Sequence, residues 1–152
     1  SADNDFEDEV RSYFASGTGL QELYVSPDLL TGKNWDDLAA AASWARIRAA
    51  VLRDSRWIGG DPARGEAYGW AAWLPGQATL ALRNPAGQPR RFELDIGAAL
   101  ELPQTAAREW RATPVYVTGT SQRWRAGETA VVTLQPFEVR VWELSPADGP
   151  RR

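Results

Sequence analysis

The chain has no cysteine, no histidine and no methionine in its 152 residues. The first two absences remove disulfides, thiol nucleophiles, Ser-His-Asp triads and the commonest zinc ligands together. No apolar run reaches the roughly 18 residues of a membrane-spanning helix. The start, Ser1 to Glu9, is polar and acidic, unlike a signal peptide. A membrane partner is therefore not expected. A formal net charge of −3, with arginines scattered among acids, argues equally against a nucleic-acid partner. No cofactor motif is present. Gly17-Thr18-Gly19 lacks the Lys-[Ser/Thr] of a phosphate loop and the full dinucleotide fingerprint. With no methionine there is no translation start, so a longer parent protein is expected. Nothing here fixes the compartment; a periplasmic or secreted location is the expectation.

Against these absences stand eight tryptophans. An indole face suits the C–H face of a pyranose, but a β-sandwich core uses tryptophan just as well. Trp57, beside Gly59-Gly60, and Trp110 and Trp124, in expected loops, are the candidates for exposed stacking platforms.

The period of the apolar residues changes along the chain. Phe6, Val10, Tyr13 and Phe14 fall at helical spacing and predict a short amphipathic helix over about 5–15, ended by Gly17 and Gly19. Gln21 to Val25 reads as one strand or an extended loop, closed by Pro27. Thr31 or Asn34 is the expected N-cap of a long helix running to about Arg53, with Asp36 and Asp37 in its first turn. Two apolar stripes are expected on that helix. Leu38, Ala42, Ala45, Ala49 and Leu52 form one, and Ala40, Trp44, Ile47 and Val51 the other. Two opposed stripes predict a helix held between two layers. Residues 54–66 read as a loop or linker. From Tyr68 the period is two, and strands are expected over 67–73, 77–83, 90–95, 113–117, 130–135 and 137–144. The fold class is mainly β: an antiparallel β-sandwich preceded by a long α-helix and a short N-terminal helical segment.

Glycoside hydrolysis needs two carboxylates flanking the scissile bond, ~5–5.5 Å apart for retention and ~6.5–9.5 Å for inversion. Most acids here have another explanation. Glu93 and Asp95 sit two apart on the polar face of a strand, which reads as a solvated face. Glu22 is different, because it lies with Gln21 and Tyr24 in a Gly-rich segment that could form a substrate-contacting rim.

Four segments taken in order carry a family resemblance. They are Gly17-Thr-Gly-Leu-Gln-Glu-Leu-Tyr-Val-Ser-Pro27, Leu29-Leu-Thr-Gly-Lys-Asn-Trp-Asp-Asp-Leu38, Trp57-Ile-Gly-Gly-Asp-Pro62 and Tyr68-Gly-Trp-Ala-Ala-Trp73. Together they resemble the C-terminal end of α-galactosidase-like glycoside hydrolases, families 27 and 36 and their bacterial relatives, some labelled enterotoxin. In that family a (β/α)8 catalytic barrel is followed by an antiparallel β-sandwich. The resemblance implies that residues 1–60 are the terminal helical part of a barrel-like domain. Residues 61–145 would be the C-terminal sandwich, and 146–152 a disordered tail. It also implies that the family's catalytic aspartates lie on earlier barrel strands, and no segment here matches them. No catalytic residue is therefore assigned, and no metal. Glu22, Tyr24 and Trp57 are the expected substrate-binding residues: Glu22, with Tyr24 beside it, because barrel sites form at the C-terminal ends of strands, and Trp57 as a stacking platform.

The expectation is a non-catalytic sandwich region that packs against and stabilises the barrel of its own parent chain, inactive alone, the parent being a glycosidase. Two alternatives stand beside it. One is a carbohydrate-binding module using exposed Trp or Tyr. The other is a structural or interaction domain with an exposed apolar patch on the helix stripe through Trp44 or Leu38, able to form a homodimer through that exposed helix face.

Overall fold

The computed structural model describes residues 2–147. Helices α1 (Ala2–Ala15), α2 (Gly32–Ile47) and α3 (Ala49–Leu52) precede the strands. Then come β1 (Arg56–Gly59), β2 (Tyr68–Leu74), β3 (Gln77–Arg83), β4 (Arg90–Leu94), the one-turn helix α4 (Ile96–Ala99), β5 (Glu109–Pro114), β6 (Gln122–Arg125), β7 (Ala130–Leu134) and β8 (Val139–Pro146). All strand pairs are antiparallel. One sheet has six strands in the order β1-β2-β3-β8-β5-β6, and β4 and β7 form a second, two-stranded sheet. The mainly β class with N-terminal helices is thus what the sequence pattern indicates.

The large sheet lies between the small sheet and the helices. One face carries Leu80, Leu82, Trp110, Ala112, Trp124, Trp142 and Leu144 onto Phe92, Leu94, Val132, Leu134, Ile96 and Leu100. The opposite face carries Ala72, Ala81, Val139 and Val141 onto Val10, Phe14, Ala41, Trp44, Val51 and Leu52. This double covering changes the meaning of the period-two pattern in β3. Thr79 and Ala81, which alternate with Leu80 and Leu82, are buried beneath the helices, so β3 is buried on both faces from Ala78 to Leu82.

The helices differ from expectation in detail. Thr31 is the N-cap of α2, and the capping box closes reciprocally. Thr31 Oγ1 accepts from the Asn34 amide at 3.2 Å, while Asn34 Oδ1 accepts from the Thr31 amide at 2.9 Å. Asp36 and Asp37 lie beyond the first turn, and Asp37 pairs with Lys33 at 2.7 Å. The expected single helix to Arg53 breaks at Arg48, where φ is −97° and ψ 11°. The two opposed stripes are not observed. Ala41, Trp44 and Ala45 form one buried arc at i, i+3, i+4 spacing, with one member from each expected stripe. Ala40 and Ile47 face solvent, Ile47 with 71% of its surface exposed. Trp44 is buried against the sheet and forms no exposed patch.

Several other elements were not anticipated. Helix α1 begins earlier than residue 5; residues 21–25 take the extended-loop alternative and form no strand. Arg56–Gly59 is an edge strand rather than linker, and Gln122–Arg125 is a strand rather than loop. Pairing at β5 spans 109–114 rather than 113–117, and β8 starts after Phe137, which takes φ of 58° in the preceding turn. The C-terminal tail expected at 146–152 lies mostly outside the described residues; Pro146 itself ends β8.

Asn84 joins the two sheets at one corner. It is fully buried, and its amide donates to the carbonyls of Gln88 (2.8 Å) and Gln135 (2.9 Å) while accepting from the Ala86 amide (2.9 Å). These bonds tie the β3–β4 connection to the β7–β8 connection.

Candidate functional site

Three surface features surround the helices, and Gly17 fixes the first. Its φ of 78° is left-handed, and a Cβ there would lie 2.3 Å from the Leu52 carbonyl and 2.5 Å from Ser55 Cβ. Only glycine lets the loop after α1 approach the end of α3 this closely. Gly19 meets nothing and carries no such requirement. Between this loop and the helices runs a groove of about 470 Å³, lined by Gly17, Gly19, Ala42, Ala45, Ala49 and Leu52 among others. Ala42, Ala45, Ala49 and Leu52 of the first expected stripe thus line an open groove.

Beyond Gly17, residues 18–24 are all exposed. Leu20, Leu23 and Tyr24 project from this stretch, followed by Leu29 and by Trp35 at the start of α2. Glu22 and Tyr24 come together here: the Tyr24 hydroxyl donates to Glu22 Oε2 at 3.0 Å. The Tyr13 hydroxyl donates to the Glu22 carbonyl at 3.3 Å, tying the segment back to α1. Tyr24 is 93% exposed. No hydrogen bond or ring contact among the described residues links Trp57 to either of them.

Trp57 belongs to the second feature, an aromatic cluster on the edge of the large sheet. In the antiparallel register Trp57 faces Trp70 across β1 and β2, and Tyr68 lies two residues from Trp70 on the same face. The Trp57 and Tyr68 rings stack with centroids 4.5 Å apart and planes 7° from parallel. Trp70 meets both edge-on, at 5.7 and 5.5 Å. Trp57 keeps 49% of its surface exposed, whereas Trp110 and Trp124 keep 1% and 7%. Two of the three expected platforms are therefore core residues. Trp110 packs in the sandwich with its indole nitrogen donating to the Ala107 carbonyl at 2.9 Å, and Trp124 meets Trp142 edge-on. Tyr68 and Trp70 were absent from the expected site. Their i, i+2 spacing in an expected strand was the signal that could have joined them to Trp57.

The third feature is electrostatic. Glu143 of β8 holds the helices to the sheet. Its Oε1 accepts from Trp44 Nε1 at 2.8 Å and from Arg48 Nε at 2.9 Å, and its Oε2 accepts from Arg48 Nη2 at 2.8 Å. The Arg48 guanidinium keeps the Glu143 carboxyl below the usual range. Midway along α1, Glu9 makes a two-pronged ion pair with Arg83 of β3. Beside it, burial pushes the Asp8 carboxyl up to about 6, with the nearby Arg11 acting against the rise.

None of this assembles a catalytic pair. Asp95, considered beside Glu93, is the N-cap of α4; its Oδ1 accepts from the Gly97 amide at 2.8 Å and the Gly127 amide at 2.9 Å. Glu93 faces solvent opposite Val131. Among the described residues no cluster of three acids or other ligating groups could hold a metal ion, and no helix is long and apolar enough to cross a membrane.

The sequence matches no protein-family profile and no curated protein sequence. The fold, however, matches solved structures. It is similar to a Bacillus halodurans protein assigned as an alpha-N-acetylgalactosaminidase, with a TM-score of 0.66 and 16% identity over 93% of this chain and 32% of that one. It is also similar to a Bacteroides fragilis protein assigned as an alpha-galactosidase, with a TM-score of 0.59 and 10% identity over 96% of this chain and 29% of that one. A Geobacillus thermoleovorans alpha-amylase aligns with a TM-score of 0.58 and 11% identity, over 94% and 34% of the respective chains. At such identities the likeness is one of fold. The chain spans about a third of the length of these glycoside hydrolases, and it has the architecture of that third.

Proposed function

We propose that this chain is the non-catalytic β-sandwich region of a larger glycoside hydrolase-like protein and packs against the catalytic barrel of that protein. The observation that carries this reading is the exposed apolar series Leu20, Leu23, Tyr24, Leu29 and Trp35. Such a series, beside an open groove floored by alanines, is a surface that another layer of protein would cover. On this reading the helical residues before β1 belong structurally to the barrel side, the sandwich begins with β1 at Arg56 rather than at residue 61, and Glu22 lies near the barrel rim.

The isolated chain should not turn over aryl α-galactosides, and turnover would overturn the non-catalytic reading. It should bind a hydrophobic dye and self-associate in sedimentation velocity through the same face. Leu23→Lys combined with Leu29→Asp should abolish both behaviours. A strictly monomeric chain with no dye binding would overturn the docking role.

A second reading, carbohydrate binding by the sandwich itself, is favoured by one specific observation. Trp57 is exposed and ordered by neighbouring rings, while the indoles of the sandwich core are buried.

A further inference from the structure

We infer that Trp57, Tyr68 and Trp70 form a surface site for a neutral pyranose ring. The inference deepens the carbohydrate-binding reading by giving it one location and one ligand class.

The ring geometry comes first. Tyr68 covers one face of the Trp57 indole at 4.5 Å, and Trp70 meets it edge-on. Trp57 nonetheless keeps 49% of its surface exposed, and Tyr68 stacks on only one of its two faces. An exposed tryptophan normally loses side-chain freedom when it binds a ligand. Here the neighbouring rings already restrict it, so less entropy is lost on binding. The cluster also has nothing of its own sheet to pack against beyond this point, because β1 is the outermost strand.

The polar groups come next. Trp57 and Trp70 are a non-hydrogen-bonded pair, as shown by the flanking bond from the Gly60 amide to the Ala67 carbonyl and the continuous register between them. The main-chain N–H and C=O of Trp57 therefore point outward from the sheet edge. Among the described residues, the Tyr68 hydroxyl and the indole nitrogens of Trp57 and Trp70 make no hydrogen bond. Those of Tyr68 and Trp70 are not among the sealed-off polar atoms either. By contrast, the indole nitrogens of Trp44 and Trp110 are bonded within the protein. A flat apolar face is thus bordered by uncommitted donors and acceptors. A pyranose has that same division, with C–H bonds on one face and hydroxyls around the rim.

The charge nearby offers nothing to an ionic ligand. Arg83, directly opposite Tyr68 across β2 and β3, is already paired with Glu9, so it presents no free charge beside the rings, and an uncharged ligand fits them.

The test titrates the intact chain with maltotriose, raffinose and melibiose, following tryptophan fluorescence and the indole N–H signals by NMR. Saturable binding in the millimolar range is expected, moving the Trp57 and Trp70 signals and leaving the Trp110 signal in place. Trp57→Ala should weaken binding about tenfold or more, a loss of roughly 1.4 kcal/mol. Its thermal melt should stay close to that of the parent chain, since Trp57 lies on an edge strand. Tyr68→Ala, which removes the support behind the indole, should weaken binding less. No saturable response to any of the three sugars would overturn the inference and the carbohydrate reading together. Binding that survives Trp57→Ala unchanged would overturn the inference alone, leaving a sugar site elsewhere. Neither result bears on docking to a barrel.

Discussion

The two faces of the large sheet are held to their neighbours by different chemistry. Toward the small sheet the contacts are bulky and almost wholly apolar, with Trp110, Trp142 and Leu80 fully enclosed. Toward the helices the sheet offers alanines and valines, and the strongest specific contacts are polar: Glu143 to Trp44 and Arg48, and Glu9 to Arg83. The first face follows from burial alone. The second depends on a few oriented groups in partial contact with water, where each bond adds only modest stability. The helices are therefore the layer whose attachment is most easily changed.

The sharpest way to break this comparison is to weaken the apolar face. Trp142→Ala removes a fully buried indole that also carries the Arg140 guanidinium 4.6 Å above its ring. A loss of about 3–5 kcal/mol is expected, read from urea denaturation. A loss as small as that of a helix-face variant would contradict the contrast. Next in size is Glu143→Ala, which leaves Trp44 Nε1 and Arg48 without their acceptor. Because the site is partly solvated, about 1–2 kcal/mol should be lost. Hydrogen exchange should quicken in α2 and α3 before it changes in β3 or β8. Uniform quickening across the sheet would mean that the helices are not a separately held layer.

The smallest effect concerns pH. The Asp8 carboxyl is pushed to about 6 in the folded chain from an ordinary 3.8. The folded state therefore holds that proton more tightly than the unfolded state. The burial penalty on the charged form is complete above about 6 and disappears as pH falls toward 3.8. Asp8→Asn should accordingly stabilise the chain at neutral pH by up to about 1 kcal/mol, discounted for partial solvation. The gain should vanish near pH 4. Urea melts of both proteins at the two pH values measure it, and an equal gain at both would rule out titration as the cause.

How much of this was legible in the sequence follows from what each pattern reports. Period two located β2, β3, β4 and β7 closely, because alternation is a property of the strand itself. It could not report that the second face of β3 is covered, since that cover comes from α1 and α3, earlier in the chain and beyond the reach of any local pattern. The short strand at Trp124 was hidden by its flanking arginines, whose side chains face solvent while the indole points inward. The paired helix stripes failed for a related reason. A helical wheel sorts residues into faces, but Trp44 and Ala45 share one buried arc across the dividing line. At the candidate site, Glu22 and Tyr24 could be linked through their closeness in sequence. The stacking of Trp57 on Tyr68 required the register of β1 on β2, which no local pattern supplies.

Asn84 gives the molecule its mechanical character. One enclosed amide satisfies main-chain groups on two separate crossings between the sheets, so parting the sheets at that corner would leave several dipoles without partners at once. The sandwich has no gradual way to open there. It should behave as a single cooperative block, against which a loosely held helical layer can shift.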